Sequence, residues 1–213
     1  MELVDIFCGV GGFAAGAREC ATPILGVDND DLMVRLWAAN TKGHGKLAEL
    51  WTDGVVVSPR PPQGSEASDA ARPRAQSTRT HIHISPPCTT LSKARRGTEN
   101  VADGLAYLCG SLAFLCQNES KTSWSIETVS TPLVKECLRN FQIEHTDFEF
   151  SWTVVDAGDY GSPSTRVRII VGNPALIHEL RQIPVSRVSV EDAFRRTGLE
   201  TLPADYIKNN TTT

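Results

Sequence analysis

The sequence holds six cysteines, Cys8, Cys20, Cys88, Cys109, Cys116 and Cys137, yet has no CxxC pair and no histidine spacing that would assemble a zinc site. Thiols placed singly in this way are expected to stay reduced, and no metal is expected. Any apolar run long enough for a bilayer is lacking as well, so no membrane partner is expected. The first residues, MELVDIFCGVGG, carry no basic leader and no small-residue cleavage pattern. An intracellular location follows as the expectation, with cytoplasm and nucleus indistinguishable. The sequons at Asn118, Asn209 and Asn210 are then expected to be chance matches. An excess of basic charge is also missing, since 21 Lys and Arg against 25 Asp and Glu give a net charge of -4. That excludes binding nucleic acid through overall charge but leaves local basic patches open. There is no internal repeat.

What is present reads as one α/β domain in 213 residues. LVDIF (3–7) is a short apolar run that stops at a glycine cluster, as a buried parallel strand would. A helix from about Phe13 to Cys20, a strand PILGVD (23–28) and a helix DLMVRLWAAN follow, with Leu32 and Leu36, and Met33 and Trp37, at i, i+4 spacing. This alternation opens a doubly wound sheet. From Val57 to Thr80 the chain is rich in Pro, Ser, Ala and Arg without apolar periodicity. It reads as a mobile surface insertion, either a plain loop or an arm that contacts nucleic acid.

HIHIS then forms a strand, and Val101, Leu105, Leu108, Leu112 and Leu115 make one face of a long helix. SWSIE (123–127) is a strand ending on Glu127. Leu133, Val134, Cys137, Leu138 and Phe141 form another helical stripe, and FEFSWTVV and VRIIVG are two late strands joined through DAGDYGSPSTR. Helical pieces ALIHELR and VEDAFRR occupy the last forty or so residues.

Three places could carry chemistry. Gly9, Gly11 and Gly12 follow the first strand, where glycines let a ligand approach the main chain, and Asp28 ends the second strand, where a carboxylate reaches ribose hydroxyls in nucleotide folds. Such a turn often has only a turn-forming role. Cys88 follows Pro86 and Pro87 at the carboxyl edge of the sheet, and Thr89, Thr90, Ser92, Lys93, Arg95 and Arg96 come after it. The polar, basic setting favours a thiolate nucleophile, against the ordinary role of cysteine as a small buried residue. Glu127 should stand at the same edge, as an acid beside the thiol or as a helix cap. Arg166 and Arg168 share one face of a strand, to clamp an anion or to pair with surface acids.

In order, DIFCGVGGF, VDND, PPC, IETV and DYGSPSTRVRIIVG resemble the motif series of the cytosine-5 DNA methyltransferases, over about residues 3 to 172. The resemblance implies a Rossmann-like class I methyltransferase sheet, S-adenosylmethionine as cofactor and double-stranded DNA as partner. By position, Phe7, Gly9, Gly11 and Gly12 match the cofactor loop, Asp28 the acid on the ribose, and Asn29 the place where the family usually has an aromatic ring against adenine. Asp53, in WTDG, matches the acid that accepts from the adenine amino group. Pro87 and Cys88 match the Pro-Cys pair, with Pro87 on the cofactor side, Glu127 the acid of Glu-Asn-Val, and Arg166 and Arg168 the arginines of Gln-x-Arg-x-Arg. Thr89, Thr128 and Ser164 depart from the family's Gln, Asn and Gln.

The mechanism so implied is covalent. The Cys88 thiolate adds to carbon 6 of a flipped-out cytosine, Glu127 binds the N3 and amino edge, and the arginines orient the acid and the pyrimidine oxygen. Residues 1–175 are expected to form the cofactor-binding catalytic domain, with 58–79 as the mobile insertion. Residues 176–213 are expected to be an extension without a recognition domain or a final Gly-Asn motif, so that the fold is incomplete on its C-terminal side, either as a fragment or as a split enzyme that a second chain could complete. A tRNA target also suits SPPC. A non-catalytic subunit and, from the glycine turn alone, an NAD-type enzyme are the rival readings.

Overall fold

A computed structural model describes residues 1–49, 58–59, 79–88, 91, 101–117 and 123–196. The strands are β1 (Glu2–Ile6), β2 (Thr22–Asp28), β3 (His44–Glu49), β4 (Ser58–Pro59), β5 (Thr80–Ile84), β6 (Ser123–Val129), β7 (Ser151–Asp156) and β8 (Val167–Gly172). The helices are α1 (Gly12–Gly16), α2 (Asp31–Thr41), α3 (Val101–Gln117), α4 (Pro132–Glu144), α5 (Pro174–Gln182) and α6 (Val190–Arg196).

One sheet runs in the order β4-β3-β2-β1-β5-β6-β8-β7. From β3 to β6 the pairings are parallel, β4 adds an antiparallel edge of two residues, and β8 is antiparallel to both β6 and β7. The chain winds outward from β1 to β3 and then returns to place β5 on the other side of β1. The switch point of a doubly wound sheet, where such folds bind ligands, therefore lies between the carboxyl ends of β1 and β5. Those ends are in register, Ile6 opposite Ile84, and Ser85 N–H donates to Ile6 O at 3.1 Å.

Alternation along the strands assigns the two faces. Val4, Ile6, Ile82, Ile84 and Ile126 pack with Leu108, Leu112 and Leu115 of α3 and Val134, Leu138 and Phe141 of α4. The other face holds Leu3 with Ala14 of α1 and Trp37 of α2, a smaller cluster. Trp37 is fully buried and its Nε1–H donates to Asp5 Oδ2 at 3.0 Å. It lies so flat on β2 that a Cβ at Gly26 would stand 2.3 Å from its ring, which only glycine avoids.

Several expectations are corrected. The first helix stops at Gly16 rather than Cys20, and the buried stripe of α2 is Val34 and Trp37, while Leu32 and Leu36 are exposed. Of the two i, i+4 pairs only Leu32 and Leu36 face away from the sheet, since Trp37 is fully buried and Met33 half-buried. Strand β3 carried no alternation strong enough to mark it in the sequence, and β6 runs two residues past Glu127. Of the insertion at 58–79, only Ser58, Pro59 and Arg79 fall within the described residues.

Candidate active site

The turn after β1 is built from backbone conformations that side chains resist. Phe7 (φ 56°), Gly9 (φ 49°) and Gly11 (φ 92°) are all left-handed. For a residue as bulky as Phe7 this costs about 1–2 kcal/mol. The turn is held by Cys8 N–H to Val27 O at 3.1 Å, Gly11 N–H to Cys8 O at 3.0 Å, and the edge-on contact of the Phe7 ring with Tyr107 of α3. Gly9 N–H donates to Asp28 Oδ2 at 3.0 Å and Asp30 N–H to Asp28 Oδ1 at 3.1 Å, so the acid at the end of β2 braces the glycine loop. A Cβ at Gly11 would press on Trp37 at 3.2 Å, whereas one at Gly9 or Gly12 would meet nothing within 4 Å. The loop thus presents open main chain at Gly9 and Gly12, beside a buried carboxylate. Asn29, next in line, is exposed, and Asp53 lies outside the described residues.

Across the switch point, Pro86 is buried, Pro87 exposed and Cys88 half-buried, with Cys88 O accepting from Leu91 N–H at 3.0 Å. Burial pushes the Cys88 thiol above its ordinary range. Arg168 and then Arg166 pull it down, and Glu127 pushes it up. The basic residues on which the expectation of a thiolate-favouring setting rests lie outside the described residues; among the described ones, burial outweighs the arginines.

Glu127, Arg166 and Arg168 meet at one point. Arg166 Nη2 donates to Glu127 Oε1 at 3.2 Å, and Arg168 Nε lies 2.9 Å from the same oxygen. The Arg168 N–H is not aimed along that line, which makes the contact an ion pair rather than an aligned hydrogen bond. Strand pairing explains the meeting: β8 runs antiparallel beside β6 with Val129 opposite Arg168, so the side chains of Glu127 and Arg168 fall on one face. Thr128, the departure from the family's Asn, points the other way. It is buried, and its hydroxyl has no partner among the described residues.

Sequence reasoning missed three supports. Asp156 Oδ1 accepts from Gly158 N–H at 3.0 Å and from Arg166 N–H at 2.9 Å, clamping both ends of the loop that delivers Arg166. Asp followed two residues later by Gly is the turn signal that could have found it. Asp5 is buried in the opening motif, and burial pushes its carboxyl up to about 7, partly offset by the Trp37 and Ala14 N–H bonds. The third is a ladder on the same face: His81 Nδ1 to Ser123 Oγ (2.8 Å), His81 Nε2 to Ser125 Oγ (2.9 Å), His83 Nδ1 to Ser125 Oγ (2.8 Å) and His83 Nε2 to Ser85 Oγ (2.8 Å). It ends beside Pro86, with Phe13 stacked on His83 at 3.4 Å. The alternating HIHIS and SWS were its trace.

A doubly wound sheet with an antiparallel β8 set between β6 and β7, and with a glycine loop and a Pro-Cys loop at its switch point, defines a Rossmann-like methyltransferase fold. Two solved structures share it. A DNA modification methyltransferase encoded within an E. coli prophage superposes with a TM-score of 0.61 at 18% identity, covering 96% of this chain and 56% of that one. The S. pombe Dnmt2 methyltransferase superposes with a TM-score of 0.51 at 13% identity, covering 97% and 57%. The model of the C-5 cytosine-specific DNA methylase family matches residues 1–193, and the chain belongs to that family. A curated relative, a type II methyltransferase of Methanocaldococcus jannaschii, is 25% identical over 187 residues, 81% of this chain. The chain spans 56% of that relative's length.

Proposed function

We propose that this chain is the catalytic part of an enzyme that transfers a methyl group from S-adenosylmethionine to carbon 5 of cytosine in double-stranded DNA. The observation that carries the reading is the convergence of Cys88, Glu127, Arg166 and Arg168 across the switch point from the open glycine loop. The residues present fit the cofactor. Gly9 and Gly12 leave main chain unobstructed, and each oxygen of Asp28 keeps a second lone pair for a ribose hydroxyl after accepting one N–H. Phe7, Gly11, Asn29, Asp53 and Pro87 are assigned to the same cofactor by their place in the motifs. When bound, S-adenosylmethionine supplies an electrophilic methyl group.

The chain's own residues supply the rest. Carbon 5 of cytosine is a weak nucleophile, and addition of the Cys88 thiolate to carbon 6 makes it an enamine carbon. Electron density displaced by that addition collects on the N3 and amino edge, where Glu127 hydrogen-bonds the ring, while Arg166 and Arg168 hold the acid and face the pyrimidine oxygen. Loss of the carbon 5 proton then expels Cys88 Sγ. These atoms are stacked inside a duplex, so the base must be flipped out first. The chain spans 56% of that relative's length, and target recognition and the final Gly-Asn motif are proposed to come from outside residues 1–213, from further sequence or from a second chain.

The test is covalent trapping. The chain is incubated with labelled S-adenosylmethionine and, in separate arms, a duplex or a tRNA carrying 5-fluorocytosine, which blocks expulsion of the thiol. A denaturing gel should show a protein-DNA adduct that Cys88→Ala abolishes. An adduct with tRNA alone would overturn the DNA assignment, and an adduct that survives Cys88→Ala would overturn the nucleophile.

A further inference from the structure

Away from the Cys88 edge, two thiols from different helices touch. Cys109 Sγ of α3 and Cys137 Sγ of α4 lie 3.3 Å apart, across 28 residues of sequence, and both cysteines are half-buried. They line a cavity of about 350 Å³ with Leu105, Leu133, Glu136 and Glu144, and none of the site residues described above borders it. Cys109 follows Leu105 by four residues and Cys137 follows Leu133 by four, so each sulfur lies on the helix face that opens on this cavity. Among the described residues no group of three or more His, Cys, Asp or Glu could hold a metal ion, and the chemistry available is that of two thiols.

We propose that Cys109 and Cys137 form a redox modification site, a reversible disulfide that staples α3 to α4 by exchange with a small disulfide of the glutathione class. The sulfurs need close by only about 1.3 Å to reach bonding distance. Either sulfur can donate the S–H that joins the pair, and the one that accepts it is held below the ordinary thiol range against burial and the Glu144 charge; with Cys109 as the acceptor, Cys109 attacks and Cys137 stays protonated. The Cys109 thiolate displaces one glutathione thiolate to give a mixed disulfide. Cys137 then gives up its proton and attacks the Cys109 sulfur, releasing the second glutathione. In sum two protein thiols are oxidised by two electrons, and one oxidised glutathione becomes two reduced molecules. The staple would join the helix that buttresses Phe7 through Tyr107 to the helix that follows the Glu127 strand.

The full chain is equilibrated in glutathione buffers of rising oxidised fraction, quenched in acid, alkylated, digested and weighed. A Cys109–Cys137 linked peptide should accumulate and disappear on reduction. Fragmentation must separate Cys109 from Cys116, which shares its tryptic peptide. The link should persist in Cys88→Ser and be lost in Cys109→Ser and in Cys137→Ser. The linked form should melt higher by roughly 5 °C or more. Glutathione adducts on either cysteine without the link, or no link in buffers that fully modify the exposed Cys20, would overturn the proposal. An unchanged melting temperature of the linked form would overturn the staple.

Discussion

Burial raises the Cys88 thiol above its ordinary range, and the charges that adjust it are the groups assigned to the substrate. Glu127 raises the thiol while Arg168 and Arg166 lower it, so neutralising the acid has two separable effects. In Glu127→Gln the carboxylate proposed to meet the cytosine edge is lost, and kcat should fall by roughly 10²–10³. Alkylation of Cys88 by iodoacetamide at fixed pH should nevertheless become faster, because the charge opposing the thiolate is gone. Slower alkylation in this variant would break the electrostatic account of the site. Thr128 makes the opposite kind of prediction. Its buried hydroxyl lacks a partner among the described residues and lies on the strand face away from Glu127. Thr128→Val keeps the shape and removes the penalty, so urea unfolding should show a gain of about 1 kcal/mol with catalysis unaltered.

Among the elements, the segment between β7 and β8 decides whether the arginines arrive. Arg168 is on a strand paired on both sides, but Arg166 stands before it and depends on Asp156, whose single oxygen accepts both the Gly158 and the Arg166 amides. Those two bonds hold the Asp156 carboxyl below its usual range. Asp156→Ala should free Arg166 and lower kcat more than it changes KM. Asp156→Asn, which keeps an oxygen able to accept the same amides, should restore most of the loss. Equal losses in both variants would mean that the charge of Asp156, rather than its hydrogen bonds, is what matters.

For the molecule as a whole, two buried groups on one sheet face oppose each other in pH. Burial, aided by His81, pushes His83 down to about 3. The folded chain therefore declines a proton that the unfolded chain takes up, and stability is lost as pH falls from about 6.5 toward 3. Asp5 is raised by burial to about 7, so the folded chain keeps a proton that the unfolded chain releases, and stability is lost as pH rises from about 4 toward 7. A tenfold difference in proton affinity between the folded and unfolded chain is worth about 1.4 kcal/mol, and from about pH 4 to 6.5 the two slopes run against each other. Asp5→Asn should expose the histidine slope, with urea midpoints dropping on acidification below about 6.5. His83→Gln should expose the carboxyl slope, with midpoints dropping as pH rises. Parallel midpoint curves for both variants would sink this account.

The sequence by itself determined the alternation of strands and helices, the glycine turn after β1, the Pro-Cys loop after β5 and the arginine pair at the start of β8. These are local signals, carried by spacing and by residues with restricted backbones. The family resemblance rested on their order, and the match over residues 1–193 upheld it. What only the tertiary structure decided was which side chains meet across strands. Glu127 meets both arginines because β8 inserts antiparallel beside β6, and a register between segments some forty residues apart has no local signature. The phase of α2, the burial that raises Cys88, the His-Ser ladder and the Cys109–Cys137 contact are of the same kind. Each depends on what lies above or beside a residue in the packed chain, and composition and periodicity hold no record of that.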